Sequence, residues 1–169
     1  MKEEYEKKRK DLKYYSKSLE IIEKIKNDNN SKSIIDIGGW AGGFISRTSL
    51  ETKVCLDRIP KDEKTVEGVK LIIEDFLEWK VERFDIVCCM QVLEHIDDDN
   101  VEKFAEKLFE ISDHVLISVP YKWPKNYCKY HKQDPVDEYK LKTWTKREPT
   151  ESYIIKDGRI SRIICYYKL

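Results

Sequence analysis

The chain has no apolar run approaching the roughly 20 residues that cross a bilayer, which argues against a membrane-spanning helix. It has no excess charge: 32 Lys plus Arg balance 32 Asp plus Glu. That balance removes the bulk attraction on which a nucleic-acid or anionic-membrane partner would draw. Only 6 glycines and 5 prolines punctuate 169 residues, so neither low-complexity tracts nor a flexible linker divides them. The amino-terminal stretch MKEEYEKKRKDLKYY is charged throughout and lacks the apolar centre of a secretory signal. The 5 cysteines are odd in number, and four of them (Cys55, Cys88, Cys89 and Cys165) fall in strand-like apolar runs. Such thiols read as reduced and buried, pointing to a cytoplasmic protein. One domain over residues 1–169 is expected, large enough to bury a core without staples.

Residues 1–28 carry apolar groups at Tyr5, Leu12, Tyr15, Leu19, Ile22 and Ile25, on one face of an amphipathic helix. The polar run Asn27-Asp28-Asn29-Asn30-Ser31 predicts a break after it. Five strands follow, at Ser33–Ile37, Lys53–Asp57, Val69–Ile73, Asp85–Met90 and His114–Val119. Runs such as Ile86-Val87-Cys88-Cys89-Met90 do not alternate with polar residues, as expected for strands covered on both faces. Before the fifth strand, Val101, Phe104, Ala105, Leu108 and Phe109 form one helical stripe, and Asp99 with Glu102 suggests a capping box at its start. Strands separated by helices predict a parallel sheet. A short helix with Asp134 as N-cap and Pro135 at its first position is expected next, burying Val136, Leu141 and Trp144. Ser152–Ile155 and Arg159–Tyr167 flank Asp157-Gly158, a two-residue hairpin signal.

Four of the glycines crowd into Gly38-Gly39-Trp40-Ala41-Gly42-Gly43, directly after the first strand. A plain turn needs one or two, so the loop reads as a ligand cradle at the carboxyl end of a strand. A dinucleotide loop would place glycine where Trp40 stands, and a phosphate loop would end in Gly-Lys-Ser or Gly-Lys-Thr. A nucleoside-like ligand without a pyrophosphate fits better. Asp36, Asp57 and Asp75 close three successive strands and line one sheet edge. Asp57 can accept the hydroxyls of a ribose, and Asp75 an adenine amino group; each acid could also simply cap a turn.

Asp36-Ile37-Gly38-Gly39-Trp40-Ala41-Gly42, the Asp57 strand end, Glu74-Asp75-Phe76 and Phe84-Asp85-Ile86-Val87 with Val92-Leu93-Glu94-His95-Ile96 resemble class I S-adenosylmethionine-dependent methyltransferases. The likeness spans about residues 31–120. Beyond it, Tyr121-Lys122-Trp123-Pro124 and His131 to Asp137 are similar to small methyltransferases of bacterial surface-polysaccharide synthesis. The resemblance implies an α/β, Rossmann-like three-layer sandwich whose mostly parallel seven-stranded sheet ends in an antiparallel hairpin. It implies S-adenosyl-L-methionine as cofactor, bound by Asp36, Gly38, Gly39, Trp40, Gly42, Asp57, Asp75, Phe76 and Gln91. Gly38 and Gly42 would flank the methionine part, Asp57 the ribose, Asp75 and the Phe76 backbone the adenine, and Gln91 would face the sulfonium. The expected plan is then a helix over 1–28, a cofactor-binding core over 31–120, a substrate lid over 121–150 and a hairpin over 151–169.

Methyl transfer to an alcohol benefits from a general base, and histidine suits neutral pH. His95, just past the fourth strand, and His131, in the aromatic segment, are the candidates. For His95 the alternative is a helix-start residue; for His131 it is a loop surface position. His114 begins the fifth strand at the opposite edge. Trp40, Tyr121, Trp123 and Tyr130 could wall the site against water. No metal is expected: Cys128-x-x-His131 lacks a second pair, and Cys88 and Cys89 point to opposite faces of one strand. The expected acceptor is a sugar or other small polar metabolite. RNA or protein substrates, and a cofactor-binding interaction module without activity, are the alternatives.

Overall fold

The computed structural model describes residues 11–58 and 66–169. Seven strands form one sheet in the order β3-β2-β1-β4-β5-β7-β6. They are β1 (Ser33–Ile37), β2 (Thr52–Asp57), β3 (Lys70–Ile73), β4 (Ile86–Met90), β5 (His114–Pro120), β6 (Glu151–Asp157) and β7 (Ile160–Lys168). The pairs β3-β2, β2-β1, β1-β4 and β4-β5 are parallel, and β7 runs antiparallel between β5 and β6. Among the described residues three α-helices cover the faces: α1 (Lys13–Asn29), α2 (Asp98–Ile111) and α3 (Glu138–Thr145). The architecture is the expected mostly parallel α/β sandwich closed by an antiparallel hairpin.

Side-chain alternation along the strands divides the core in two. Ile35, Ile37, Val87, Cys89, Val115 and Ile117 face α2 and α3. Ile34, Ile86, Cys88, Met90 and Leu116 face α1. Cys88 and Cys89 thus lie on opposite faces, as their adjacency requires. Burial drives their thiol pKa values well above the ordinary thiol range.

Several local expectations need correction. α1 buries Tyr14, Ser18, Ile21, Ile22 and Ile25, a face turned slightly from the one read from its apolar residues. The Ser18 hydroxyl donates to the Tyr14 carbonyl at 2.8 Å, so a polar residue sits in the seam without a lost hydrogen bond. Leu12, Tyr15 and Leu19 pack at its margin, and Tyr5 lies outside the described residues. The helix also runs on to Asn29, and Asn30 ends it in the left-handed conformation, its N–H donating to the Lys26 carbonyl. Asp97 rather than Asp99 precedes α2. The connections from β1 to β2 and from β3 to β4 contain no α-helix; the first holds only a 3-10 turn at Ile45–Arg47. In the hairpin, Asp157 pairs with Ile160, moving the two-residue loop one position on to Gly158 and Arg159.

Asp134 is the correction with most consequence. Asp137, not Asp134, caps α3, its side chain accepting from the Lys140 N–H at 2.9 Å. The Asp134-Pro135 bond is cis, and the Asp134 carboxylate points elsewhere. Val136, Leu141 and Trp144 are buried as expected.

Candidate functional site

In this strand order the neighbours β1 and β4 lead to opposite sides of the sheet, and the crevice beyond their carboxyl ends is where open α/β sheets bind ligands. A cleft of about 760 Å3 opens there. Asp36, Gly38, Gly39 and Trp40 form its floor; Asp57, Asp75 and Phe76 line one side, and Gln91 and His95 the other. Gly42 lies outside the lining, beneath the loop: a Cβ there would stand 2.5 Å from Val69 Cγ1.

The backbone of the loop explains its glycines. Gly38 has φ +74°, and its N–H donates to the Leu56 carbonyl at 2.7 Å, holding the loop against β2. Gly39 has no room for a side chain, since a Cβ would lie 2.3 Å from Asp36 Oδ2. Trp40 adopts φ +62°, left-handed backbone that an aromatic residue seldom takes. The Trp40 N–H donates to Asp57 Oδ2 at 2.9 Å, so the strand-end acid holds the strained turn. Gln91, directly after β4, is also left-handed at φ +60°. Strain of this kind gathers where a ligand site over-determines the backbone.

The acids differ in use. Asp36 is buried at the end of β1. One Asp75 oxygen accepts from the Leu77 N–H at 2.9 Å, capping a turn, while the other faces Arg58 at 3.8 Å. Asp75 stands two residues beyond β3 rather than on it. The Phe76 ring packs against Phe104 with centroids 4.6 Å apart. Gln91 does not extend its amide freely into the cleft: its Nε2 donates to Ser118 Oγ at 3.2 Å, and its Oε1 accepts from Arg162 Nε at 2.9 Å.

The two candidate histidines meet. Their rings are edge to face, centroids 4.8 Å apart, although only His95 lines the cleft. His131 is not a surface loop residue: its side chain is 7% exposed and stacks on Trp123. His131 Nδ1 lies 2.7 Å from Asp134 Oδ2, and His95 Nδ1 lies 3.0 Å from the Tyr130 carbonyl oxygen. The segments carrying them are tied by backbone, with the Lys132 and Gln133 N–H groups both donating to the Glu94 carbonyl. Gln133 Nε2 donates to the Ile96 carbonyl at 2.8 Å. Glu94 is buried behind His95, and Glu94, His95 and His131 place one ligand-type atom each within 4.8 Å of one another. The sequence reading weighed cysteine spacings and expected no metal; the set that folding gathers is a different one, a glutamate and two histidines. His114 lies at the far edge, its Nδ1 2.7 Å from the Tyr166 hydroxyl.

Sequence reasoning missed Tyr14 and Tyr15, which bring α1 to the cleft wall, and the partnership of His131 with Asp134. The three-residue spacing of His131 and Asp134 was a usable signal, masked by the capping role that Pro135 suggested for Asp134.

Solved methyltransferase structures share this fold. N-methyltransferase NodS from Bradyrhizobium japonicum WM9, in complex with S-adenosylhomocysteine, superposes with a TM-score of 0.69 at 12% identity, covering 94% of this chain and 88% of that one. The chain has the class I methyltransferase fold. The same fold relates it to the N-terminal domain of EvdMO1, in the presence of S-adenosylhomocysteine and D-fucose (TM-score 0.67, 12% identity, 94% and 84% covered). Small RNA methyltransferase HEN1 matches with a TM-score of 0.64 and 20% identity over 90% of this chain and 25% of that one. Among curated sequences, ubiquinone biosynthesis O-methyltransferase of Acinetobacter baumannii (strain ACICU) is 21% identical, covering 57% of this chain. The chain spans only 47% of that relative's length. No protein-family model matches.

Proposed function

We propose that the chain is an S-adenosylmethionine-dependent methyltransferase that methylates a hydroxyl of a sugar or other small polar metabolite. The observation that carries this reading is the cleft at the class I ligand position, floored by a glycine loop with no room for a Cβ at Gly39. Its residues fit the cofactor. Asp57 presents a carboxylate for ribose hydroxyls while bracing Trp40. Asp75, partly engaged by Leu77, keeps an oxygen near the cleft for a base amino group, with Phe76 fixing the backbone beside it. Asp36, Gly38 and Gly39 shape the end that takes the methionine part, and Gly42 keeps the loop seated on Val69. Gln91 acts through its backbone and through its grip on Arg162 rather than by pointing at the sulfonium.

The cofactor supplies an electrophilic methyl group on a sulfonium. The chain's own work is to orient the acceptor, exclude water and manage the hydroxyl proton. Residues 121–150 fit the role of acceptor-side cover, since Tyr130 and Lys132 border the cleft and the Lys132 N–H is bonded to Glu94. His95 is the imidazole in position to meet an acceptor, and His131 with Asp134 backs it. The D-fucose and ubiquinone-pathway relatives support a small-molecule acceptor, as does the zero net charge.

A second reading, methylation of RNA, draws on the likeness to HEN1 and on Lys122, Lys125, Lys129 and Lys132 in the cover segment. Incubation with methyl-labelled cofactor separates the two. Label passing to a saccharide or nucleotide-sugar fraction and not to bulk RNA supports the proposal; label passing only to RNA overturns the acceptor assignment.

A further inference from the structure

Glu94, His95 and His131 come together from two segments, the turn after β4 and the cover before α3, and bring their ligand-type atoms within 4.8 Å of one another. Crowding alone would not fix which ring atoms face the centre. The Tyr130 carbonyl can only accept, so its 3.0 Å contact requires a proton on His95 Nδ1, and in the neutral ring the lone pair is then on Nε2. Asp134 does the same for His131 at 2.7 Å, from a carboxylate side chain 2% exposed. An imidazole whose Nδ1–H is held by a carboxylate or backbone carbonyl, with Nε2 presented, is the arrangement of metal-bound histidine.

Charge points the same way. Two buried carboxylates, Glu94 and Asp134, bracket the imidazole pair. Asp134 Oδ1 is enclosed without a hydrogen-bond partner. A divalent cation close by would offset the negative charge at Asp134. Backbone bonds from Lys132 and Gln133 to Glu94 hold the two segments in register before any ion arrives. Ligand atoms on one ion at about 2.1 Å sit roughly 3–4 Å apart, so the cluster needs to close by about 1 Å.

We propose that Glu94, His95 and His131 bind a divalent first-row transition-metal ion. Two imidazole nitrogens and one carboxylate oxygen suit Mn2+, Fe2+, Co2+ or Zn2+ and leave coordination positions open. His95 lines the cleft, so an ion held there would lie beside it and take the acceptor's hydroxyl oxygen as a further ligand, orienting it and lowering its pKa. Ion binding stands independently of the methyltransferase reading; only the hydroxyl as a further ligand rests on it. Asp134 is then a positioning residue, and the Tyr130 carbonyl its counterpart on His95.

Chelator-treated protein titrated with Co2+, followed by visible absorption and calorimetry, tests this directly. Cys128→Ser serves as the reference, because Cys128 is a partly accessible thiol that could itself bind cobalt. One equivalent is expected in both wild type and this reference, with affinity at least 10-fold weaker in Glu94→Gln and His131→Ala, and about 10- to 100-fold weaker in Asp134→Asn. Near-isosteric Glu94→Gln and Asp134→Asn guard against misfolding, and S-adenosylhomocysteine binding in each variant reports that the fold is intact. Failure of wild type to bind Co2+, Mn2+ or Zn2+ at millimolar ion overturns the proposal, as does unchanged affinity in Glu94→Gln and His131→Ala. Protein that binds S-adenosylhomocysteine but no ion refutes the metal site alone. Protein that binds the ion but not S-adenosylhomocysteine refutes the cofactor reading alone.

Discussion

Replacing Gly39 by alanine adds one methyl group at the tightest point of the cleft floor. Gly39 is not in the left-handed region, so its backbone accepts alanine and only space opposes the change. The added Cβ would lie 2.3 Å from Asp36 Oδ2, 2.5 Å from Asp36 Cγ and 3.0 Å from Asp36 Cβ. Ordinary contact begins near 3.4 Å, so the loop or the carboxylate must move by about 1 Å. Asp36 is poorly placed to yield, being 1% exposed on a strand paired on both sides, with Cys55 across from it on β2 and Cys88 on β4. Overpacking of this kind costs about 1–3 kcal/mol. For a chain of this size each kcal/mol lowers Tm by about 2–4 °C, so the expected fall is roughly 2–12 °C. Because the floor itself shifts, S-adenosylhomocysteine affinity should fall as well. Gly158→Ala is the control: its φ is +67°, but a Cβ meets nothing within 4 Å, and it lies in the hairpin loop. It should lose about 1–2 kcal/mol of stability through backbone strain and leave ligand affinity unchanged. Scanning calorimetry and ligand titration on both variants make the comparison. Gly39→Ala with wild-type Tm and wild-type affinity would refute the claim that Asp36 and Gly39 are packed without slack.

Other outcomes follow from burial and charge. Of the 5 cysteines, Cys55, Cys88, Cys89 and Cys165 are buried, and burial pushes the Cys165 thiol up to about 12. A thiol reagent should therefore modify native protein at Cys128 alone, with the rest reacting only on unfolding; rapid labelling of two or more sites would contradict the packing. Burial, aided by the Lys168 charge, depresses the His114 pKa below 6.5. Its contribution to stability is full above the ordinary value and is lost as pH falls through the lowered one. The His114 ring resonances should titrate below pH 6.5 in NMR; a midpoint above it would contradict the environment described. Asp157 accepts from the Lys13 N–H at 2.8 Å, tying the start of α1 to the hairpin, so Asp157→Ala should lower stability by about 1–2 kcal/mol in denaturant titration. An unchanged midpoint would mean that this tie holds nothing.

The parallel half of the sheet was legible because its strands are continuous apolar runs, and Ser33–Ile37 begins and ends where the pattern does. The hairpin was legible from Gly158, whose positive φ the turn uses. The cleft was legible because glycines and acids must sit at strand ends to serve it. What escaped depended on contacts between distant segments. Nothing local announces that Ser18 can be buried by bonding its own helix, or that α1 brings Tyr14 and Tyr15 to the cleft. Asp134 read as a cap because aspartate before proline opens many helices; only the fold turns it towards His131. Trp40 stands where a dinucleotide loop would have glycine, and the structure gives it the glycine-like backbone and pins it with Asp57.

Calorimetric titration of wild type and Asp57→Ala with S-adenosylhomocysteine tests the central claim most directly. The account predicts one molecule bound per chain by wild type. It predicts affinity about 10- to 150-fold weaker in the variant, since a hydrogen bond to a charged carboxylate contributes about 1.5–3 kcal/mol. Folded wild-type protein that binds none, or a variant that binds as tightly as wild type, would contradict it.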